Sequence, residues 1–162
     1  MHLILVLAHV LTAVALFCGA VGRLATFQMA RTAAEVPSVT VLLRASDFFE
    51  RRVTIPASML VLVFGLLAAW GSGWPVLGFL QGGHTNWLLA ALVLYLAPMP
   101  AIPLYLLPAR RRREAATAAA VAAGQVTPEL RAALDDRGVL VYRWIELGVL
   151  VVVLTLMVTK PF

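Results

Sequence analysis

Residues 139–159 read VLVYRWIELGVLVVVLTLMVT, a nearly unbroken apolar run near the end of the chain. At about 1.5 Å of rise per residue, a helix of this length crosses a hydrocarbon core about 30 Å thick. Two ionisable residues, Arg143 and Glu146, lie near its start. Each costs roughly 2.5–3.5 kcal/mol inside a bilayer, so such residues usually have a structural or functional purpose. The run predicts a membrane-spanning helix that carries a polar site.

The rest of the chain has the same apolar character. Of its 162 residues, 62% are hydrophobic and 13% are charged, whereas soluble domains have roughly 45–50% and about 25%. This composition predicts an integral membrane protein. The net charge of +5 does not indicate nucleic-acid binding, because the arginines lie between the apolar segments and mark membrane topology. The single cysteine, Cys18, excludes an intramolecular disulfide and a multi-cysteine metal site, and its apolar surroundings predict a buried thiol.

Four apolar segments have the length that a membrane crossing requires. They are residues 3–22, 53–77, 87–107 and 139–159. We therefore predict an all-α fold, a four-helix transmembrane bundle that forms a single domain. The first segment lacks a basic start and a small-residue cleavage motif, so we predict a retained span and not a signal peptide.

The arginines are distributed unequally among the connections, and the segment between residues 77 and 87 contains neither Lys nor Arg. Basic residues favour the cytoplasmic side of a membrane. This pattern places the first and third connections inside and both termini outside, in the inner (cytoplasmic) membrane. Three tryptophans at the expected outer boundary agree with this topology: Trp70, Trp74 and Trp87.

Both arginine-rich connections show helical patterns. In SVTVLLRASDFFERR, residues 38–52, apolar residues recur near helical spacing with charges between them, which predicts a helix lying in the membrane interface. The third connection has an alanine-rich helix interrupted at Gly124, followed by a second helix capped by Thr127 with Pro128 at its first position. Gly138 is expected to end that second helix. We predict two cytoplasmic interfacial helical connections.

The spacing of Arg143 and Glu146 places them on nearly the same face of the last helix and allows an ion pair. The pair could hold neighbouring helices together. Glu146 could instead be a proton or cation site or anchor a polar ligand, and contact with another protein is a third interpretation.

The third apolar segment contains LAPMPAIPLYLLPA, residues 96–109, which is rich in proline. Proline has no N–H, so the carbonyls of Leu94, Leu96, Met99 and Leu104 lose their intrahelical donors. A helix broken in this way is tolerated where it faces protein or a water-filled cavity. The prolines therefore predict either a kinked packing helix or a ligand or ion surface: Pro98, Pro100, Pro103 and Pro108.

His9 lies within the first span. It is either a hydrogen-bonded packing residue or a haem ligand. The other three spans contain no histidine, so a bis-histidine haem within the membrane part of one chain is excluded. A copper-like site of His2 and His84 is the weakest alternative, and we predict no metal site. The cofactor, if there is one, stays unknown, with haem as the candidate.

Several short motifs carry a family resemblance. They are HVLTAVALFCGAVGR, with His9, Gly19 and Arg23; IPASMLVLVFGLLAAW, with Pro56 and Gly65; and the closing VTKPF. With four predicted spans, the chain resembles small bacterial predicted integral membrane proteins of unknown function, which group loosely with the CopD-like copper-resistance proteins and the HemJ-like protoporphyrinogen oxidases. The resemblance implies that His9 matches a first-helix histidine associated with haem. The sequence departs from the HemJ-like pattern after Gly19, so it does not imply protoporphyrinogen oxidase activity.

No catalytic constellation is present in the sequence, so we do not expect an enzyme, with an oxidoreductase as the alternative class. The leading hypothesis is a structural or accessory component of a bacterial membrane, in contact with lipid and part of a homo-oligomer or a larger membrane complex. The alternatives are a haem- or quinone-linked redox protein using His9 and a small transporter using Glu146.

Overall fold

The computed structural model describes residues 2–84 and 86–161, and within these ranges the chain is helical apart from its connections, with no strand. The predicted all-α class is confirmed. Two π-helical segments, Phe49–Thr54 and Ile102–Leu106, lead directly into the helices that follow them. The α-helices are α1 His2–Thr32, α2 Val36–Phe48, α3 Ile55–Gly71, α4 Trp87–Leu96, α5 Leu107–Ala123, α6 Pro128–Leu134 and α7 Arg137–Thr159.

Among the described residues, three helical stretches are long and apolar enough to cross a membrane: His2–Thr32, Val36–Gly71 and Pro128–Thr159. They contain most of the first, second and fourth predicted spans. The third predicted span, residues 87–107, is not one helix, because α4 ends at Leu96 and the chain continues through turns and a π-helical segment. The four-span count is therefore not confirmed by helix length.

The second of these stretches is a 36-residue helical run in which α2 continues through a π-helical segment into α3. It packs antiparallel to α1. Val39 and Leu43 of α2 are buried against Phe27 and Ala30 near the end of α1. The predicted orientation of residues 38–52 in the membrane interface is not confirmed, since this segment extends the spanning helix and packs against α1.

Small residues allow α1 to approach its partner closely. A Cβ atom at Gly19 would lie 2.8 Å from Thr54 Oγ1 and 3.2 Å from the Thr54 backbone nitrogen. A Cβ atom at Gly22 would lie 2.8 Å from Cε1 of Phe49. Glycines at such positions let helix backbones pack tightly in a membrane, where apolar packing must replace the hydrophobic effect. Cys18, beside Gly19, is exposed on α1, so the predicted burial of its thiol is wrong.

We expect Gly19→Leu to lower the stability of the detergent-solubilised protein by about 1–3 kcal/mol, because the new side chain has to push the two backbones apart. Thermal unfolding followed by circular dichroism measures the loss. Gly148→Leu is the matched control, since a Cβ atom at Gly148 meets no atom within 4 Å. An equal loss in both variants would contradict close packing at Gly19.

Four helix termini meet at one end of the molecule, which we call the terminal end. Ser72 Oγ, just after α3, lies 3.3 Å from Nδ1 of His2 at the start of α1. The rings of Trp74 and Trp87, on either side of the loop into α4, have centroids 5.5 Å apart. Lys160 Nζ, just after α7, lies 5.3 Å from the Trp74 ring centroid. The clustering of tryptophans predicted from the sequence thus includes a direct contact between two of them.

The opposite end, which we call the hairpin end, contains the turn between α1 and α2 together with α5 and α6. Its buried core includes Phe27, Ala30, Val36, Val39, Leu43, Ala109, Ala120, Leu130, Leu134 and Val139. Arg131 of α6 donates hydrogen bonds to the carbonyls of Arg31 and Ala33 where α1 ends. These carbonyls have no intrahelical donor, so Arg131 both satisfies them and fixes α6 against α1.

The predicted helix ends in the third connection are partly confirmed. Gly124, with a φ of 67°, ends α5, and the Thr127 hydroxyl accepts a hydrogen bond of 3.3 Å from the Leu130 nitrogen at the start of α6. The prediction for Gly138 is wrong, because it lies in the first turn of α7, capped by Asp136. A Cβ atom at Gly138 would overlap the phenol of Tyr105, which explains the glycine by packing.

Candidate functional site

Four arginines and three carboxylates from five helical elements meet toward the hairpin end, and we call this group the charge cluster. At about 1.5 Å per residue, Arg23 lies roughly 31 Å along α1 from His2, which is close to the thickness of a hydrocarbon core. The cluster is therefore placed near one boundary of the apolar region. Its members are Arg23, Arg110, Arg113, Arg143, Asp47, Glu50 and Glu146.

Arg23 is the central residue of the charge cluster. It is only 8% exposed, and its Nη2 forms an ion pair and hydrogen bond with Glu146 of α7. Its Nη1 lies 3.7 Å from Glu50 Oε2, in the π-helical segment before α3. The Ser46 hydroxyl donates to the Arg23 carbonyl at 3.2 Å. One arginine therefore links α1 with α7 and with the long α2–α3 run.

Arg143 contacts α1 and not the carboxylate of its own helix. Its guanidinium carbon lies 4.0 Å from the centroid of the Phe27 ring, and Nη1 donates to the Arg23 carbonyl at 3.3 Å. No carboxylate oxygen within the described part of the chain lies within 4.0 Å of the Arg143 nitrogens. The ion pair expected between Arg143 and Glu146 is thus replaced by two contacts between helices.

Two arginines of α5 complete the charge cluster. Arg113 Nη2 lies 3.2 Å from Asp47 Oδ1, and Arg110 lies 3.2 Å from Asp47 Oδ2 and 3.3 Å from Glu50 Oε1. Burial lowers the pKa of the Arg113 guanidinium, whereas the hydrogen bond from Arg110 lowers the pKa of the Glu114 carboxyl. The ion pairs of Arg110 and Arg113 with Asp47 and Glu50 attach α5 to the α2–α3 run at the hairpin end.

Some backbone carbonyls of the proline-rich break accept hydrogen bonds from nitrogens within the break itself. The Met99 nitrogen donates to the Leu96 carbonyl at 3.0 Å, and the Ile102 nitrogen donates to the Met99 carbonyl at 3.1 Å. Two of the carbonyls expected to lose their donors are therefore bonded within tight turns. The Tyr142 hydroxyl of α7 lies 3.5 Å from the Pro98 carbonyl. Pro100 and Pro103 lie in the same break, whereas Pro108 lies in the first turn of α5.

His9 lies in the contact between α1 and α3. Its Nδ1 is 2.9 Å from the Val61 carbonyl oxygen. A Cβ atom at Gly65 would lie 2.9 Å from the His9 Cε1 atom, so the imidazole fills the space that a side chain there would take. Among the described residues, no group of three or more His, Cys, Asp or Glu side chains is arranged to hold a metal ion. His9 thus has a packing partner at Gly65 and a hydrogen-bond partner at Val61.

Comparison with known families identifies the chain. Residues 3–161 match the family described as "Predicted integral membrane protein (DUF2269)". The chain belongs to the DUF2269 family. The predicted resemblance to integral membrane proteins of unknown function is confirmed, whereas nothing supports the looser relation to CopD-like and HemJ-like proteins. No curated protein and no solved structure matches the sequence.

In this DUF2269 protein, the charge cluster joins helices that are far apart in sequence. The sequence pattern identifies Arg143 and Glu146, but it gives no sign of Phe27. It presents Arg113 only as a topology signal, and Arg23 as a topology signal and a member of a short family motif. A usable signal exists for Arg23. This residue lies four residues after Gly19, on the helix face that meets the π-helical segment before α3. An arginine on a close-packed face has to find its acceptors between helices.

Proposed function

We propose that this protein is a non-catalytic accessory component of the bacterial inner membrane. It is a four-span bundle with both termini outside, and it acts by forming stable helix contacts within a homo-oligomer or a larger membrane complex. The charge cluster fixes the shape of the bundle, and the apolar faces of the spanning helices are left to lipid and to neighbouring helices.

The ion pair between Arg23 and Glu146 carries this proposal. Glu146 is the carboxylate expected deepest in the membrane, and a transporter would require it to bind and release a proton or cation. A guanidinium that is itself 8% exposed holds it in place. An ion pair that joins two spanning helices acts as a fixed contact between them, and breaking it would leave a buried charge without a partner.

The path of the chain supports four crossings. Trp87 contacts Trp74 at the terminal end, whereas Ala109 is buried in the core of the hairpin end. The segment between them therefore runs the length of the bundle despite its interruption at the prolines. Non-helical backbone at membrane depth is tolerated where it faces protein. α7 packs against α4 just before the break, and the Tyr142 hydroxyl of α7 lies 3.5 Å from the Pro98 carbonyl within it. The arginine-rich hairpin end is then cytoplasmic.

The contacts of His9 favour packing over haem ligation. Its Nδ1 lies against a backbone carbonyl and its ring against a glycine. Both contacts use the imidazole to join α1 and α3. The redox and transport hypotheses remain as outcomes of the following experiment.

The experiment compares the wild type with Glu146→Gln, His9→Ala and the control Glu35→Gln, which changes an exposed carboxylate in the turn before α2. Each protein is released from membranes in polymer nanodiscs and analysed by native mass spectrometry and visible absorption. Each is also reconstituted into liposomes that contain a pH-sensitive dye. We expect a defined assembly for the wild type and Glu35→Gln, partial dissociation for Glu146→Gln, no Soret band, and proton flux equal to that of empty liposomes.

Other results would contradict the accessory function. Proton flux that is lost only in Glu146→Gln would identify a transporter. A Soret band that is lost in His9→Ala would identify a haem protein. A colourless, inactive chain that is monomeric in the nanodiscs would also contradict the proposal, because an accessory component requires a partner.

A further inference from the structure

A surface groove on the α2–α3 run contains three arginines beside an aromatic ring. It is lined by Arg44, Asp47, Phe48, Arg51 and Arg52. All three arginines are exposed, and Phe48 is 59% exposed although it is a large apolar residue. The groove faces away from α1, because the opposite side of α2 carries the buried residues that meet that helix.

The arginines of this groove differ from those of the charge cluster. Arg44, Arg51 and Arg52 form no ion pair within the described residues. The one carboxylate that lines the groove, Asp47, is held by Arg110 and Arg113, each at 3.2 Å. The groove is therefore strongly positive, because the charge of its single acidic residue, Asp47, is neutralised by the two arginines of α5.

The groove lies at the level of a membrane boundary. At about 1.5 Å per residue, Arg52 is roughly 27 Å from Trp70 at the other end of α3, close to the thickness of a hydrocarbon core. Beyond Arg52, exposed apolar residues continue at helical spacing toward the terminal end, with Ile55 at 44% and Met59 at 65% exposure. Cations at the boundary are thus followed along the helix by an apolar surface.

We propose that this groove binds the phosphodiester headgroup of an anionic phospholipid. The guanidinium groups of Arg51 and Arg52 bind the phosphate oxygens, and Arg44 extends the positive field on the side away from the membrane core. Phe48 packs against the glycerol region, and the acyl chains lie along Ile55 and Met59. The proposal is independent of the accessory function, because a transporter or redox protein with this groove would bind the same lipid.

The order of groups along the helix favours a lipid over a free anion. A site for free phosphate requires donors alone, whereas here an exposed aromatic ring and an apolar strip adjoin the arginines. An anionic lipid binds both surfaces at once, because its phosphate contacts the arginines and its acyl chains contact the apolar strip. Removing each arginine near a charged membrane surface is expected to weaken lipid binding roughly fivefold.

The test measures binding of dioleoyl phosphatidylglycerol to the detergent-purified full chain by native mass spectrometry, with dioleoyl phosphatidylcholine as the neutral comparison lipid. We expect Arg51→Gln/Arg52→Gln to weaken phosphatidylglycerol binding roughly 25-fold and to leave phosphatidylcholine binding unchanged. The control is Arg111→Gln/Arg137→Gln, which removes the same charge from two exposed arginines outside the groove. We expect it to weaken phosphatidylglycerol binding much less than Arg51→Gln/Arg52→Gln does.

Three results would overturn the proposal. Equal losses in the two double variants would mean that net charge attracts the lipid without a site. Unchanged binding in Arg51→Gln/Arg52→Gln would exclude the groove. Displacement of phosphatidylglycerol by millimolar inorganic phosphate would show a site for the free anion. Circular dichroism of each variant checks that the helices are intact, and since the groove arginines are exposed and unpaired within the described residues, we expect unchanged unfolding temperatures.

Discussion

Arg23→Met is expected to lower the free energy of unfolding by about 3 kcal/mol, because it leaves Glu146 without its partner inside the bundle. Arg23 of α1 also forms ion pairs with both α7 and the segment before α3. Glu50 is less affected, since Arg110 lies 3.3 Å from it. Unfolding by sodium dodecyl sulfate in mixed micelles, followed by circular dichroism, measures the loss.

The double variant Arg23→Met/Glu146→Met should be more stable than Arg23→Met alone. Removing both partners and filling the space with apolar groups removes the cost of the unpaired charge. The control is the corresponding cycle with Arg143→Met and Glu146→Met, for which we expect a smaller coupling energy because Arg143 contacts Phe27. A larger coupling energy for Arg143 with Glu146 than for Arg23 with Glu146 would support an ion pair within α7 and contradict the observed pair between α1 and α7.

The sequence predicts the three long apolar helical stretches well, because membrane crossing requires long apolar runs, which are visible without knowledge of the fold. It does not predict that the third segment, residues 87–107, stops being one helix at Leu96. It also predicts the start of α6, since Thr127 and Pro128 act on their immediate neighbours. The sequence also predicts a boundary between α2 and the second span, but the structure has a continuous helical run there. Its charged residues suggest a separate helix, but charges do not end a helix, and a π-helical segment carries the chain on to Pro56.

The charge cluster is less predictable because its partners are remote in sequence. The spacing rule for helices pairs Arg143 with Glu146, whereas Glu146 pairs with Arg23, 123 residues away. The choice depends on how α1 and α7 meet, and a single sequence carries no rule for that geometry. Gly138 shows the same limit, because its small size serves the distant Tyr105 and not a local turn.

Phe27→Ala is expected to cost about 4 kcal/mol, the typical loss for a large aromatic residue removed from a packed core. Phe27 is fully buried, at 0% exposure. Its ring also lies under two guanidinium groups, with the carbons of Arg143 and Arg113 at 4.0 Å and 5.4 Å from its centroid. The variant therefore combines a cavity with the loss of two cation–π contacts, and unfolding in mixed micelles measures their joint cost.

Phe27→Leu separates these two effects, because leucine keeps most of the apolar volume but has no ring. Loss of a desolvated cation–π contact costs about 2 kcal/mol, so we expect Phe27→Leu to be clearly destabilising in the wild type. In an Arg143→Met background the cost should be lower, because only the more distant Arg113 guanidinium, at 5.4 Å, still contacts the ring. Equal costs in the two backgrounds would show that the Phe27 ring only fills space. A lower cost in the Arg143→Met background would mean that Phe27 provides the Arg143 guanidinium with the stabilising contact that no carboxylate of the described residues gives it, and that this arginine joins α7 to α1 without an ion pair.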